Sequence, residues 1–456
     1  MSSLPDAPFD GDTRELAFPV SSTVSDPVTG LPAGHTTVRY YALAWLTAAA
    51  ALAYFCRNAI GVAESTIREE LGLTLQQSGW FMGAFFWTYA IFQVPSGWFS
   101  ERFGTRIALS VFTLGGSAAM LGIGLAPGFW LLIVAQLAMG IAQAGLIPAS
   151  CNSIGHWMPL SQRSLACGIL AAGMQVGAIE ASGLTGISIA LLGWRWVFAA
   201  FALPGIVWAF GFFAWFRDHP TDALPPESSE LALIRAGRGI NHSDLGTDTG
   251  ELMELLAIAR NPAMWWLCGQ QICRSAGYMF FASWFPTFLQ KTRGVSVENS
   301  GYLQGVVLAG ALLGAIIGGL LTDWIWRRTG SLRVSRSGVG AASLGMCSIV
   351  ILCAWIVAST EIAVALLAFG AFCAACAGPC AFAAAIDIGG PRVPQVSGLM
   401  NMCGNLAAAA CPVLVGRLFQ LTENWNLILL LFAGVFLAGA ISWGLVNPTR
   451  ATFTTS

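Results

Sequence analysis

Charge is scarce in this chain. Only 10 % of its 456 residues are Asp, Glu, Lys or Arg, against roughly 25 % in a soluble domain. Too few polar side chains remain to cover a water-exposed globule, which argues against a soluble enzyme. A net charge of −1 removes any bulk electrostatic drive toward nucleic acid. Lysine occurs once, as Lys291, beside 21 arginines. Histidine is nearly as rare, and His35, His156, His219 and His242 all fall in polar segments, so no His/Cys metal set emerges. Residues 1–38 lack an apolar stretch behind a basic start, so they read as a disordered tail and not as a signal peptide.

What is abundant is apolar. Hydrophobic residues make up 56 % of the chain, mean hydropathy is +0.68 and glycine reaches 52. The twelve cysteines sit almost entirely in apolar runs, where a thiol behaves as a small hydrophobe. Cys373, Cys376 and Cys380 share one helix face with no His or acid nearby in sequence, which suits small-residue packing between membrane helices. Apolar spans are expected at about 40–63, 76–99, 106–126, 129–151, 164–191, 195–216, 262–289, 300–326, 338–358, 361–386, 396–419 and 425–447. Each can cross about 30 Å of hydrocarbon as a helix. The expected architecture is an all-α membrane protein of twelve transmembrane helices in two six-helix bundles, 39–216 and 261–448. A central loop (217–260) joins them, and tails at 1–38 and 449–456 flank them.

With the N-terminus inside, fifteen of the 22 basic residues fall on the cytoplasmic side, five outside and two within the membrane. The positive-inside rule then places both termini in the cytoplasm; the absence of transit-peptide features favours a bacterial inner membrane.

The two halves resemble each other. The loop after the second span runs Gly97-Trp-Phe-Ser-Glu101-Arg102-Phe-Gly104-Thr-Arg106, and the loop after the eighth runs Gly319-Leu-Leu-Thr-Asp323-Trp-Ile-Trp-Arg327-Arg328. In both, a Gly that permits close helix contact precedes an acid by four residues. Such an acid at a helix end can pair with a neighbouring Arg and latch helices on the cytoplasmic side. Gly97, Glu101, Arg102, Gly104, Arg106, Asp323 and Arg327 are therefore candidate gate residues. Internal symmetry of this kind is expected of a two-bundle transporter. Gly310, Gly314 and Gly318 repeat every four residues and suit close helix packing; they are also candidates for the surfaces that slide during alternating access.

The loop 97–106 resembles the signature of the major facilitator superfamily. Other stretches resemble its anion:cation symporter branch, the transporters of hexuronates, galactonate, glucarate, phthalate and sialic acid. They are Tyr54-Phe-Cys-Arg57-Asn, Phe85-Phe-Trp-Thr-Tyr89-Ala-Ile-Phe-Gln93-Val-Pro95, His156-Trp-Met-Pro159-Leu-Ser-Gln-Arg163, Trp284-Phe-Pro286-Thr-Phe and Asn401-Met-Cys-Gly-Asn405. The resemblance implies a secondary transporter of small organic anions, sugar acids or related carboxylates, working by alternating access with proton symport. No nucleophile–base set and no metal-ligand cluster stands out in the spans, so no enzymatic activity and no cofactor are expected, and no partners beyond substrate, protons and the lipid bilayer.

Arg57 lies deep in the first span, where a guanidinium costs at least about 2.5–3.5 kcal/mol. With Tyr54 on the same face, it suits a carboxylate, which takes two parallel N–H donors and a third hydrogen bond. In the family resembled, the matching Tyr and Arg bind the substrate anion. Gln271, Arg274 and Tyr278 share a face of the seventh span, the first span's counterpart in the second half. Gln271 matches a substrate-contacting Gln of the branch. Arg274 instead resembles the second-half Arg of organophosphate:phosphate antiporters. Tyr89 matches a site-lining tyrosine, and the amides of Asn401 and Asn405 can donate to hydroxyls or a distal carboxylate.

Departures from the branch matter as well. Its proton-coupled members carry an Asp where this chain has Cys56 and a Glu where it has Gln143, with Gln136 on the same face two turns earlier. One intramembrane acid remains, Glu180, as relocated proton carrier or as counter-charge to Arg57 or Arg274. The deep charges sum to +1, which favours a monoanion or dianion. Exchange of organophosphate and phosphate, other anion exchange and uniport fit the residues too, and a transporter-like membrane sensor is a remoter alternative.

Overall fold

A computed structural model describes residues 37–236, 260–422 and 424–449. The expected disorder of the N-terminal tail and most of the C-terminal tail lie outside the described residues.

Among the described residues, twelve helical spans form two groups of six. The first bundle comprises Val38–Glu70, Leu75–Ile91 continued by Gln93–Phe103, Thr105–Gly124, Phe129–Ala144 continued by Leu146–Trp157, Arg163–Leu192 and Trp194–Trp215. The second begins with Pro262–Met279, which passes through a π-turn at Phe280–Trp284 into Phe285–Arg293. It continues with Val297–Thr329, then Val339–Ile356 entered through a π-turn at Arg333–Gly338, then Thr360–Gly389, Val393–Thr422 and Trp425–Leu445. Nine spans contain a helix long and apolar enough to cross a membrane unaided. The second, seventh and eleventh are less apolar, and these three carry much of the polar site described below.

Local chemistry sets the helix ends. Thr74 and Gln77 form a reciprocal cap at the start of the second span, satisfying donors the first turn leaves free. Ser296 and Ser359 cap the eighth and tenth spans. Gly294 and Gly330, at φ 64° and 65°, end helices in the left-handed conformation that glycine tolerates. Large side chains such as Trp80, Trp87, Ile187, Leu313 and Ile441 are exposed on the outer faces, as a hydrocarbon solvent requires.

Small residues bring helices together inside each bundle. In the first, Gly173 and Gly177 of the fifth span lie on Thr47 and Ala51 of the first, where a Cβ at Gly177 would collide with the Ala51 carbonyl. In the second, Gly310, Gly314 and Gly318 pack on Ala368, Phe372 and Cys376 of the tenth span. That glycine row is a fixed contact within one bundle, not the sliding surface the repeat suggests, because its neighbours belong to the same half. Cys376 and Cys380 behave as small packing residues, with Cys380 Sγ 3.1 Å from Thr322 Oγ1.

The described part of the central loop carries structure of its own. A turn at Pro220–Asp222 precedes a helix at Ser229–Ala236. Leu224, Leu231 and Ile234 pack with Val38, and Glu230 accepts from the Arg39 backbone N–H at 3.1 Å. This segment is thereby fastened to the first bundle. The end of the molecule holding Val38, this segment and Leu445 is termed proximal below, and the opposite end distal.

Gly177→Val is expected to destabilise the protein by about 1–3 kcal/mol, the usual effect of forcing extra atoms into a packed contact. Gly183→Val on the same helix, where a Cβ meets nothing within 4 Å, serves as the control. Thermal unfolding of the two variants in one detergent checks the difference.

Candidate binding site and the seal beneath it

Arg57 stands near the middle of the first span, surrounded by rings. Its guanidinium carbon lies 5.4 Å from the Tyr54 ring centroid, 5.0 Å from Phe85, 4.6 Å from Phe86 and 5.6 Å from Tyr89. The second span supplies three of these rings because Phe85, Phe86 and Tyr89 fall on adjoining faces at helical spacing. Cation–π contact with four rings steadies the charge without neutralising it. No carboxylate pairs with Arg57 among the described residues.

Arg274 of the seventh span donates from Nε to Gln271 Oε1 at 3.1 Å. The tenth span approaches at Gly378, where a Cβ would stand 3.6 Å from the guanidinium. Arg274 also lacks an acidic partner among the described residues. Tyr54 and Tyr278 connect the two cations: Tyr278 lies within electrostatic reach of Arg57, Arg274 and Tyr54, and Tyr54 within reach of Arg274. Gln175 of the fifth span donates to the Tyr278 hydroxyl at 3.1 Å, bridging the bundles. Tyr54, Arg57, Tyr89, Gln271, Arg274 and Tyr278 are thus brought into one neighbourhood. Gln175, Phe85 and Phe86 join them; the intramembrane amide of Gln175 was the available sequence signal for the first.

Asn401 adjoins this neighbourhood at Tyr89. Asn401 is buried and donates to Gln93 Oε1 at 3.1 Å, a bond between the eleventh and second spans in which Tyr89 also takes part. Its amide fastens the bundles together, so substrate would reach it only by breaking that bond. Asn405 donates to the Asn401 carbonyl at 2.8 Å and remains half-buried. Cys56 and Gln143 line a small cavity within the first bundle, with Thr113, Ser117 and Gly205. Gln136 is buried, and its Oε1 has no hydrogen-bond partner among the described residues.

Glu180 is exposed, on a helix face shared with Val176, Ile179, Gly183 and Ile187. It has no hydrogen-bond or ion-pair partner among the described residues. The structure therefore does not make it the counter-charge of Arg57 or Arg274. Fifth-span residues that face Tyr278 and the tenth span, such as Gln175 and Gly168, lie on another side of the helix.

Beneath the site the bundles are sealed at the proximal end by two matched clasps. In one, Gly97 lies on the Pro394 carbonyl and Gly398 on the Gln93 carbonyl. Glu101 there accepts from Arg392 and Gln395 at the start of the eleventh span. In the other, Gly319 lies on the Ser164 carbonyl and Gly168 on the Ala315 carbonyl. Asp323 accepts the backbone N–H groups of Ser164 at 3.2 Å and Leu165 at 2.7 Å, where the fifth helix begins and its free donors favour an anion.

The second clasp is reinforced. Arg336 reaches Asp323 at 3.2 Å, Asp387 at 3.1 Å, Ser164 Oγ at 2.6 Å and the Leu160 carbonyl at 3.2 Å. Arg163 closes the group by pairing with Asp387. The side chains of Arg336, Asp323 and Asp387 are at most 3 % exposed, whereas Arg392 and Glu101 are 23 % and 24 % exposed.

Sequence motifs identified Glu101, Asp323, Gly97 and the general region, and included Arg163 without a role, but not Arg336, Asp387, Arg392 or Gln395. Gly104 and Arg106 serve the first bundle itself: Gly104 turns at φ 82° over Asp218, which accepts from the Arg106 N–H at 2.8 Å. The Arg106 side chain donates to the Phe213 carbonyl at 2.6 Å. Arg102 lies over the Trp98 ring, and Arg327 donates to the Asp323 carbonyl at 3.4 Å. At the distal end, Glu70–Arg195 and the Arg293 bonds to the Val357 and Ala358 carbonyls each stay within one bundle.

The Major Facilitator Superfamily model matches residues 46–352. A protein of Cupriavidus necator described as a probable sulfoacetate transporter is 27 % identical over 397 residues, covering 87 % of this chain and 91 % of its own. A probable galactarate/D-glucarate transporter of Escherichia coli is 26 % identical over 412 residues (86 % and 89 %), and the hexuronate transporter of that species is 26 % identical over 392 residues (84 % and 88 %). Among solved structures, the proton:xylose symporter XylE aligns with a TM-score of 0.70 at 15 % identity (90 % of this chain, 96 % of that one). The transporter FucP in the outward conformation aligns at 0.66 and 15 % (90 % and 99 %). These two show the shared fold.

The difference between the clasps sets an expectation. Arg336→Met removes the buried cation that Asp323 and Asp387 share, leaving Asp323 with backbone N–H groups alone and Asp387 with Arg163, and should cost about 3 kcal/mol. Arg392→Met removes a half-exposed pair and should cost about 1 kcal/mol or less. Thermal unfolding of each variant distinguishes them, and equal losses would contradict the assignment of the buried clasp as the stronger.

Proposed function

The chain belongs to the Major Facilitator Superfamily, and on that premise we propose that it carries small organic anions, sugar acids or related carboxylates, across the plasma membrane by alternating access. The observation that carries this reading is the pair of mid-span guanidiniums, Arg57 and Arg274, neither held by a carboxylate. A buried cation without an acidic partner is costly, and an anionic substrate supplies the missing charge. Relatives named for sulfoacetate, galactarate/glucarate and hexuronate transport support the same chemical class. The basic residues Arg39, Arg106, Arg163, Arg217, Arg327, Arg328, Arg333, Arg336 and Arg392 gather at the proximal end, which on the positive-inside rule is cytoplasmic. With that end sealed, the arrangement fits an outward-directed state, and rocking of the bundles about the site would expose it inward.

Coupling follows from charge. Entry of an anion against an inside-negative potential costs about 2.3 kcal/mol per charge for each 100 mV, so accumulation needs a co-transported cation or an exchanged anion. Proton symport is what the family resemblance implies. Among the described residues no carboxylate joins Arg57 and Arg274, and Cys56 and Gln143 are poor proton carriers near neutral pH. Glu180, exposed and apart from the arginines, is the remaining mid-span acid to carry a coupled proton. We therefore favour exchange for an internal anion.

Proteoliposomes test both parts. Uptake of labelled galactarate, sulfoacetate or glucuronate should be stimulated several-fold by internal unlabelled substrate and abolished by Arg57→Ala. It should respond little to an inward proton gradient, in the wild type and in Glu180→Gln alike. Gradient-driven accumulation in the wild type that Glu180→Gln abolishes would establish proton symport through Glu180 instead.

A further inference from the structure

Resting on that reading of the site, we infer that the substrate carries two separated anionic groups, one received by Arg57 and the other by Arg274, and that Arg274 selects two-headed anions over one-headed ones. A monoanion requires one guanidinium. This site presents two, from opposite bundles, and neither has an acidic partner among the described residues. An anion with a single head satisfies one cation and leaves the other uncompensated within the membrane.

The surroundings of the two cations differ, which argues for two subsites and not one shared cradle. Arg57 is enclosed by the rings of Tyr54, Phe85, Phe86 and Tyr89. Arg274 is oriented by Gln271 and stands close to the tenth-span backbone at Gly378. Tyr54 and Tyr278 lie within electrostatic reach of the second-bundle cation, and Tyr278 of the first-bundle cation too. Gln175 fixes the Tyr278 hydroxyl from the fifth span. These phenols suit the atoms between two charged heads: a hydroxylated carbon chain, or the methylene of a sulfonated carboxylate. A ligand of that shape is held by both bundles at once, so its binding favours the arrangement in which the bundles meet around it.

Matched pairs of anions test this with the full chain in lipid nanodiscs, read by ligand-induced thermal stabilisation and tryptophan fluorescence. Galactarate and galactonate share a carbon skeleton and differ by one terminal carboxylate. Sulfoacetate compares with acetate and with methanesulfonate in the same way, and glycerol 3-phosphate supplies a doubly charged single head. The wild type should bind the two-headed member of each pair more tightly by about tenfold to a hundredfold, the worth of one charge-assisted contact. Arg274→Gln should bring that ratio close to one, and Arg274→Lys should restore part of it. Equal wild-type affinity for one- and two-headed members would overturn the inference while leaving organic-anion transport intact. So would a ratio indifferent to Arg274→Gln in folded protein, or tighter binding of glycerol 3-phosphate than of any two-headed anion. Failure of the wild type to bind any of these anions would overturn the broader reading as well.

Discussion

The cost of charge in hydrocarbon governs this structure. A chain with so few ionisable residues keeps several of them between its bundles, and they divide by whether the fold compensates them. Arg336, Asp323, Asp387 and Arg163 compensate one another, with helix-end N–H groups and carbonyls completing their hydrogen bonds. Arg57 and Arg274 receive aromatic faces and an amide but no opposite charge. The compensated group is structural and holds the halves together at one end. The uncompensated pair leaves a requirement that the proposed anionic substrate would meet, and it is placed where the halves converge at mid-span. Structure and proposed transport are thus two outcomes of the same electrostatic constraint.

That constraint also bears on movement. If the proximal seal opens during transport, the buried charges of the second clasp must separate or move as a unit. Breaking a pair without replacement is expensive. An anion that draws Arg57 and Arg274 together offers compensating interaction in the arrangement that must replace the sealed one. A ligand moves such an equilibrium only by its differential affinity for the two arrangements, and contacts to both bundles provide that difference.

Much of this was legible in the sequence, and the limits have physical causes. The spans were readable because hydrocarbon imposes length and apolarity on each helix separately. Arg57, Tyr54, Arg274, Gln271 and Tyr278 were readable because polar groups inside an apolar run need a reason to be there. What one helix cannot reveal is which neighbour each of its faces meets. The glycine row at 310, 314 and 318 announced close contact but not that the tenth span supplies it. Glu180 announced an intramembrane acid but not that it lies away from the arginines. Asn401 was recognisable as an intramembrane amide, but its partner Gln93 lies in the other half of the chain. Arg336 and Asp387 were hidden for a different reason. Each stands at a span end, where a charged residue is ordinary and only burial makes it exceptional.

The repeat explains why the seal has the form it does. Gly97 and Glu101 address the start of the eleventh span, and Gly319 and Asp323 address the start of the fifth, each acid one helical turn beyond the glycine that admits the opposing backbone. Gly398 and Gly168 return the contact from the other side. Four glycines and two acids therefore build two related joints from one pattern, because the crossing of two helices at this distance requires a missing Cβ on both. The joints differ in what surrounds the acid. In the second bundle, Arg336 enters through a π-turn and buries the carboxylates. In the first, Arg102 lies over the Trp98 ring and the Arg106 side chain is committed to the Phe213 carbonyl, and Glu101 stays half-exposed with Arg392. If the seal opens as proposed, parting begins most cheaply where charges can be handed to water, and the expected order is the Glu101 joint first with the Asp323 joint as the pivot.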